Sequence, residues 1–398
     1  MKLTLIFLSY TVERKGKKVL ILGLTFIDFF SGIGGFRLGM ELAGHKCLGH
    51  CENDKYAEKS YKAMHDVKED EWFGEDIKKV RPEELPRADV WCAGFPCQDI
   101  SIGGNKLGLK GSRSSLFFTI TNLIRNTKEE NRPKYIFLEN VKNLFSVNGG
   151  YDFLRLQIEL AEIGYNVEWQ LLNSKDYGVP QNRERVFIIG HLRGRSGSKV
   201  FPISRNGRAV EIPQVKVGDY RYDHGFRARK NGVSPCLCAG MSRMSNEKDL
   251  SSSIFIVGNI NPSGKGANGN VFDTEGVSPT LTTNKGEGIK ILIKEATKKG
   301  YAIAEHGDSI NLAYMNNDNR RARVGKQRIN TITTSCSHGV LLNGSIRRIT
   351  PREAFRLQGW PDDYFDRAAS VCSNSQLYKQ AGNGVTVPVI YEIAKKLI

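Results

Sequence analysis

The sequence predicts an α/β protein, a parallel sheet covered by helices on both faces, with a smaller and mostly irregular or β insert. Three observations carry this. From Leu24 to about Gly190, short β-branched and aromatic runs alternate with amphipathic helical periods, as repeated βαβ units require. Residues 191–345 then turn rich in Gly, Ser, Asn and Thr, with few helical periods. Helical patterning returns at Pro351. A chain of 398 residues exceeds a usual single domain, which suits one large and one smaller unit. The expected division is an N-terminal extension (1–24), a main α/β domain (25–190), an insert (191–345) and a segment returning to the main domain (346–398).

The opening Met1–Leu8 is apolar, but no small-residue cleavage site follows before the basic run Arg14–Lys18. A poorly ordered extension is expected there. The longest apolar stretch, Val19–Phe30, is too short to span a bilayer and is broken by Gly23 and Asp28, so no membrane segment is expected. Strands are expected at Thr25–Phe30, Lys46–Cys51, Asp89–Ala93, Lys134–Leu138, Asn166–Leu172 and Arg185–Gly190, several of them near-continuous apolar runs that a sheet buried on both faces demands. Helical periods fall at Gly35–Ala43, Lys55–Met64, Ser114–Lys128 and Tyr151–Ile163. Thr350, Pro351 and Glu353 form a capping-box start for a helix reaching Leu357, and a last helix is expected over Val389–Leu397. Within the insert, Gly232–Leu237, Gly276–Leu281 and the looser Ile329–Thr334 echo one another as strand-like segments between turns.

Lys and Arg outnumber Asp and Glu by 58 to 42, and the insert alone holds 23 against 12. Such a balance favours a polyanionic partner, nucleic acid before an anionic membrane. The eight cysteines show no paired metal-ligand spacing, so no metal is expected, and reduced thiols in a cytoplasm are the default.

Asp28–Gly35 joins a strand to a helix through glycines that let a ligand approach the backbone and the helix N-terminus. Alone this would be a packing turn as readily as a site. Glu52 ends the next strand, where a nucleoside-binding fold carries an acid for ribose hydroxyls, and Asp76 follows in the third unit. No phosphate loop of the Walker type appears, which favours a nucleoside without a pyrophosphate.

Pro96-Cys97-Gln98 follows the strand ending near Ala93, and Glu139-Asn140-Val141 follows another. Ligands of open α/β sheets bind at strand carboxyl ends, so one thiol and one carboxylic acid would meet there. That pairing suits covalent attack on a pyrimidine ring. A lone cysteine is more often a buried structural thiol. Here Pro96, Gln98, Ser101, Gly103 and Gly104 make a polar, flexible loop unlike a core strand. For Glu139 the competing reading is an ion pair with a nearby Lys or Arg. In Gln181-Asn182-Arg183-Glu184-Arg185 the arginines alternate on an extended segment, so Arg183 and Arg185 would face one side and reach the cleft. Gln380–Val385 offers a polar, glycine-lined turn expected to open the last helix.

These motifs, in this order from about Leu24 to the end, resemble those of the DNA (cytosine-5)-methyltransferase family. The resemblance implies a Rossmann-like sheet that binds S-adenosylmethionine. Phe30, Gly32, Gly34, Glu52, Asp76, Ile77, Pro96, Leu116 and Asn383 would line the cofactor. Cys97 would be the nucleophile, Glu139 would hold the base edge, and Arg185, with Arg183, would serve the base carbonyl. Gln98, Ser101, Arg113 and Gln181 would contact DNA, and the loop Gln98–Arg113 would move as a lid over a flipped base. The basic insert would be the target-recognition domain. Gly384 stands where the family often has Ser, and Trp360 where Tyr or Phe is frequent. The resemblance further implies a monomer acting on double-stranded DNA in a bacterial or phage setting, within a restriction-modification system or as a solitary methylase. The competing readings are an RNA cytosine methyltransferase, a nucleotide-binding dehydrogenase and a non-catalytic DNA-binding module.

Overall fold

A computed structural model of the chain describes residues 10–14, 17–21, 23–95, 115–195, 197–203, 256–259, 270–272, 291–313, 323–342 and 345–397. Its centre is a sheet built in chain order from β1 (Thr25–Phe29), β2 (Lys46–Cys51), β3 (Trp72–Gly74), β4 (Val90–Ala93), β5 (Tyr135–Val141), β6 (Tyr165–Asn173) and β7 (Glu184–Leu192). Across the sheet the order is β3-β2-β1-β4-β5-β7-β6. Neighbours from β3 to β5 are parallel, as expected. The far end differs, because β7 runs antiparallel to both β5 and β6. The link from Asn173 to Glu184 holds one 3₁₀ turn, Ser174–Tyr177, and the two-residue strand Gln181–Asn182, and is too short for the helical crossover that a parallel neighbour needs. The chain therefore reverses, and β7 fills the gap between β5 and β6.

Alternation along the strands separates two cores. Ile27, Phe29, Trp91, Ile136, Leu138, Val186 and Ile188 pack with α3 (Ser115–Asn126) and α4 (Tyr151–Glu162) through Phe117, Ile120, Ile124, Leu156 and Leu160. Phe26, Val90, Cys92, Tyr135, Phe137, Phe187 and Ile189 pack on the other face with α1 (Gly35–Leu42) and α8 (Val387–Ala394). The last helix thus returns to lie against the first. Its approach needs Gly39, where a Cβ would sit 2.6 Å from Ile390.

A third core lies beyond the sheet. It joins Met64 of α2 (Lys55–Met64) to Phe355 of α5 (Pro351–Leu357), Phe365 of α6 (Asp362–Ala369) and Leu377 of α7 (Asn374–Asn383), and it takes in Ile329, Ile332 and Cys336 from the insert. The expected capping box at Thr350 and Glu353 is formed. Two features depart from expectation here. Asp362–Ala369 and Asn374–Asn383 are helices, and Gln380–Asn383 closes α7 instead of opening the last helix.

Residues 197–203, beyond the strand that ends at Leu192, pack on the same sheet, with Val200 N–H donating to Glu168 Oε1 (2.7 Å) and Ile203 N–H to Gln170 Oε1 (2.8 Å). Before the sheet, Tyr10–Arg14 and Lys17–Ile21 pair as an antiparallel hairpin where an unordered extension was expected.

The described parts of the insert form two four-stranded sheets around Ile293, Ala304, Ile310 and Leu341. Glu295 Oε1 ties them together by accepting from the backbone N–H groups of Arg323 (2.6 Å) and Val324 (3.0 Å). Of the three echoes, Gly232–Leu237 and Gly276–Leu281 lie outside the described residues. The third supplies Ile329–Asn330, which pairs in parallel with Gln181–Asn182 of the main domain. Among the described residues no helix is long and apolar enough to cross a membrane.

The α1–α8 crossing gives a direct test. Gly39→Leu would force the helices apart and should destabilise the protein by about 1–3 kcal/mol in urea denaturation; an unchanged midpoint would contradict the packing described.

Candidate active site

At the carboxyl end of β4, Ala93, Gly94 and Phe95 lead the chain into Pro96 and Cys97. Pro96, Cys97, Gln98, Ser101 and Arg113 lie outside the described residues. Beside β4, β5 continues through Val141, beyond the apolar run that marked it in the sequence, because Asn140 and Val141 pair with Val186 and Arg185 of β7. Glu139 faces the α1–α8 side, its Oε1 accepting from Arg185 Nε at 3.0 Å. The two side chains are only 11% and 16% exposed, so this is a largely buried pair. Register explains the contact: Glu139 stands opposite Phe187, two residues along from Arg185 on the same face. The contact is the ion pair that was the competing reading of Glu139, and its partner is Arg185.

A Cβ on Gly94 would lie 3.8 Å from Glu139 Oε2 and 3.7 Å from the ring of Phe36. Gly94 thus lies in contact range of the carboxylate at the end of β4. On the opposite face of β5, Asn140 Nδ2 donates to the Phe95 carbonyl (3.3 Å) and holds the residue that precedes Pro96. Sequence reasoning quoted Asn140 inside its motif without giving it a role.

Arg185 also lines a cleft of about 350 Å³ with Lys142, Asn143, Asn182, Asn330 and Thr331. One wall is the main domain and the other is the returning insert.

The glycine loop lies at the ends of β1 and β2. Phe30 and Gly32 adopt left-handed backbone, with φ of 55° and 56°. Gly32 N–H donates to Glu52 Oε2 (2.7 Å), and Asp54 N–H donates to Glu52 Oε1 (2.8 Å). Burial pushes the Glu52 carboxyl above its ordinary range, against the pull of those N–H groups. Asp76 Oδ1 accepts from Lys78 N–H (3.0 Å) in the turn after β3, and Ile77 and Leu116 pack on the sheet core. Asn383 is exposed at the end of α7. These residues fit a nucleoside-containing cofactor, because a Cβ on Gly32 would meet nothing within 4 Å among the described residues and Glu52 stands beside that backbone.

Two expectations are corrected. Gln181 is fully buried, with Nε2 donating to the Leu357 carbonyl (2.8 Å) and Oε1 accepting from Ile332 N–H (3.2 Å). Its amide fastens the insert to the main domain and is not available to DNA. Arg183 does face the same end of the sheet as Arg185. Its guanidinium, however, is buried and donates to the carbonyls of Gly384 (2.9 Å) and Gly382 (3.4 Å). It braces the turn at Asn383. Gln358, which sequence reasoning passed over, completes this buried hub: Nε2 donates to the Ala381 carbonyl (2.7 Å) and Oε1 accepts from Thr386 Oγ1 (2.9 Å).

Fold and site together define the class, a Rossmann-like methyltransferase dependent on S-adenosylmethionine. The chain belongs to the C-5 cytosine-specific DNA methylases, whose family model matches residues 24–398. It is 35% identical to the orphan methyltransferase M.SPRI of Bacillus phage SPR, over 94% of this chain and 97% of that one. It is 31% identical to the type II methyltransferase M.HhaI of Haemophilus parahaemolyticus, over 96% of each. Among solved structures, the methyltransferase EhMeth of Entamoeba histolytica superposes with a TM-score of 0.51 at 16% identity, over 94% of this chain and 98% of that one. The protein is an enzyme that transfers methyl groups to cytosine in DNA, with S-adenosylmethionine as donor.

The pair at the centre makes a further prediction. Arg185→Met would leave Glu139 buried without its partner and should cost about 3–5 kcal/mol in urea denaturation. Adding Glu139→Gln should recover much of that loss; strict additivity of the two single changes would show that the side chains do not interact.

Proposed function

We propose that the enzyme methylates carbon 5 of a cytosine flipped out of a specific duplex site, through a transient bond from Cys97 Sγ to carbon 6. The observation that carries this reading is the buried Glu139–Arg185 pair, with Glu139 beside Gly94 at the end of β4, three residues before Cys97 in the sequence.

Carbon 5 of cytosine is a weak nucleophile. Addition of the Cys97 thiolate to carbon 6 turns the ring into an enamine and divides one difficult step into easier ones. Negative charge that builds on the ring is met at the ring carbonyl by Arg185 and at nitrogen 3 by Glu139, which takes this role in its protonated form, taken up as the base enters. Arg185 also fixes the Glu139 carboxyl, so the two donors arrive as one rigid unit. S-adenosylmethionine, when bound, supplies an electrophilic methyl group. Gly32, Glu52, Phe30, Asp76, Ile77, Leu116 and Asn383 would hold it on the side of the β1 and β2 ends. Once carbon 5 carries the methyl group, its proton passes to water and nitrogen 3 returns its proton to Glu139; departure of the thiolate then restores aromaticity and frees Cys97. A stacked base cannot present carbon 6 to a thiol, so the base must leave the helix. The cleft that Arg185 shares with Asn330 and Thr331 would take DNA on that side, and the basic insert would track the phosphates.

The setting we infer is a bacterial or phage-infected cytoplasm. There the enzyme would act as a monomer, either as a solitary methylase or as the modification partner of an endonuclease it does not touch.

Transfer of labelled methyl from S-adenosylmethionine to duplex DNA, followed by bisulfite sequencing, tests the reading and yields the site. Cys97→Ala should abolish transfer while DNA binding persists; turnover near the parent level would remove Cys97 from the chemistry. Glu139→Gln should lower kcat by roughly 10²-fold to 10⁴-fold, as expected for loss of a positioned proton donor. Duplex affinity should fall steeply between low and moderate salt as phosphate contacts release counterions. A flat response would remove the insert as a DNA surface.

A further inference from the structure

We propose that His65 is the positioning residue of the cofactor loop, its imidazole fixing the Ile33 carbonyl so that the backbone at Gly32 is presented to S-adenosylmethionine. This rests on the reading that the loop holds that cofactor.

The two glycines flanking Ile33 share left-handed backbone, with φ of 56° and 84°, but differ in what a side chain would meet. At Gly32 a side chain would meet none of the described residues within 4 Å, and only its φ of 56° opposes one; the space suits a ligand. At Gly34 a Cβ would collide with the His65 ring and with Tyr61. Gly34 therefore makes room for an imidazole, not for a ligand. That imidazole is 5% exposed and follows directly on α2. Its Nε2 lies 2.9 Å from the Ile33 oxygen, and since a carbonyl only accepts, Nε2 carries the proton. Tyr61 lies against the ring at 4.7 Å, and Tyr364 and Trp360 meet it edge-on at 5.5 and 6.0 Å. The aromatic walls come from α2 and from the α5–α6 region, so the loop is registered against the returning end of the chain. Burial drives the imidazole down to about 3, which keeps the ring neutral and its donor in place throughout the physiological range.

The loop is thus clamped at two adjacent groups, Gly32 N–H by Glu52 and Ile33 C=O by His65. A backbone fixed at both points meets a ligand without first being ordered.

The test compares His65→Leu, His65→Asn and His65→Gln. Leu fills the space without a donor, Asn carries one that falls short, and Gln carries one that reaches. Calorimetric titration should show S-adenosylmethionine bound roughly tenfold more weakly by the Leu and Asn variants, the scale of one lost hydrogen bond. Duplex affinity should stay within about twofold of the parent, and Gln should restore most of the loss. A general loss of structure would lower both affinities together, and rescue by Gln would not follow. A folded Asn or Leu variant that binds S-adenosylmethionine like the parent would overturn the proposal. Glu52→Ala is the control: parent-like binding there would mean that the loop is not the cofactor site, whereas weak binding there with parent-like His65 variants would sink this inference alone.

Discussion

The entry of β7 between β5 and β6, antiparallel to both, is the constraint on which the site depends. The short link after β6 compels the reversal, and the resulting register sets Phe187 opposite Glu139 and Arg185 opposite Val141. Arg185 then has Glu139 within reach on the same face. A parallel seventh strand would need a helical crossover and would present the opposite end of the strand at this edge. The paired charges lie beside Gly94, where β4 hands the chain to Cys97.

The same edge also receives the end of the chain. Arg183, Gln181 and Gln358 hold the Gly382–Gly384 turn, the end of α5 and the returning insert in one buried polar hub. Buried amides and guanidinium groups are tolerated because each meets backbone carbonyls or N–H groups. Gly382 takes part by its size, since a Cβ there would press on the backbone of Thr333. The cleft wall formed by Asn330 and Thr331 and the turn bearing Asn383 are therefore fixed relative to the same sheet edge. This is how an insert of low helical content is given a defined place on a catalytic sheet.

Much of the frame was legible in the sequence because βαβ periodicity is strong where strands are buried on both faces. Lys55–Met64 matches its helix residue for residue, and Thr350 and Glu353 cap as their spacing implied. Trp72–Gly74 escaped because three residues carry no period. Helices α6 and α7 escaped because their sequences are polar and bury few side chains each, such as Phe365 and Leu377. In the site, the motif containing Glu139 and the one containing Arg185 each marked a residue that the fold brings together. The errors at Gln181 and Arg183 share one cause. Their partners, Ile332 and Gly384, lie about 150 and 200 residues further on, and spacing within a motif says nothing of contacts made at such range. The role of Gly34 was hidden in the same way, because its neighbour His65 belongs to another element.

The central claim is that Cys97 works together with the Glu139–Arg185 pair on one extruded base. A crystal structure of the enzyme trapped on duplex DNA carrying 5-fluorocytosine tests it most directly. The account requires continuous density from Cys97 Sγ to carbon 6 of the extruded base, with Glu139 at hydrogen-bond distance from nitrogen 3. A base still stacked in the helix, or held with Glu139 and Arg185 turned away from its edge, would contradict it.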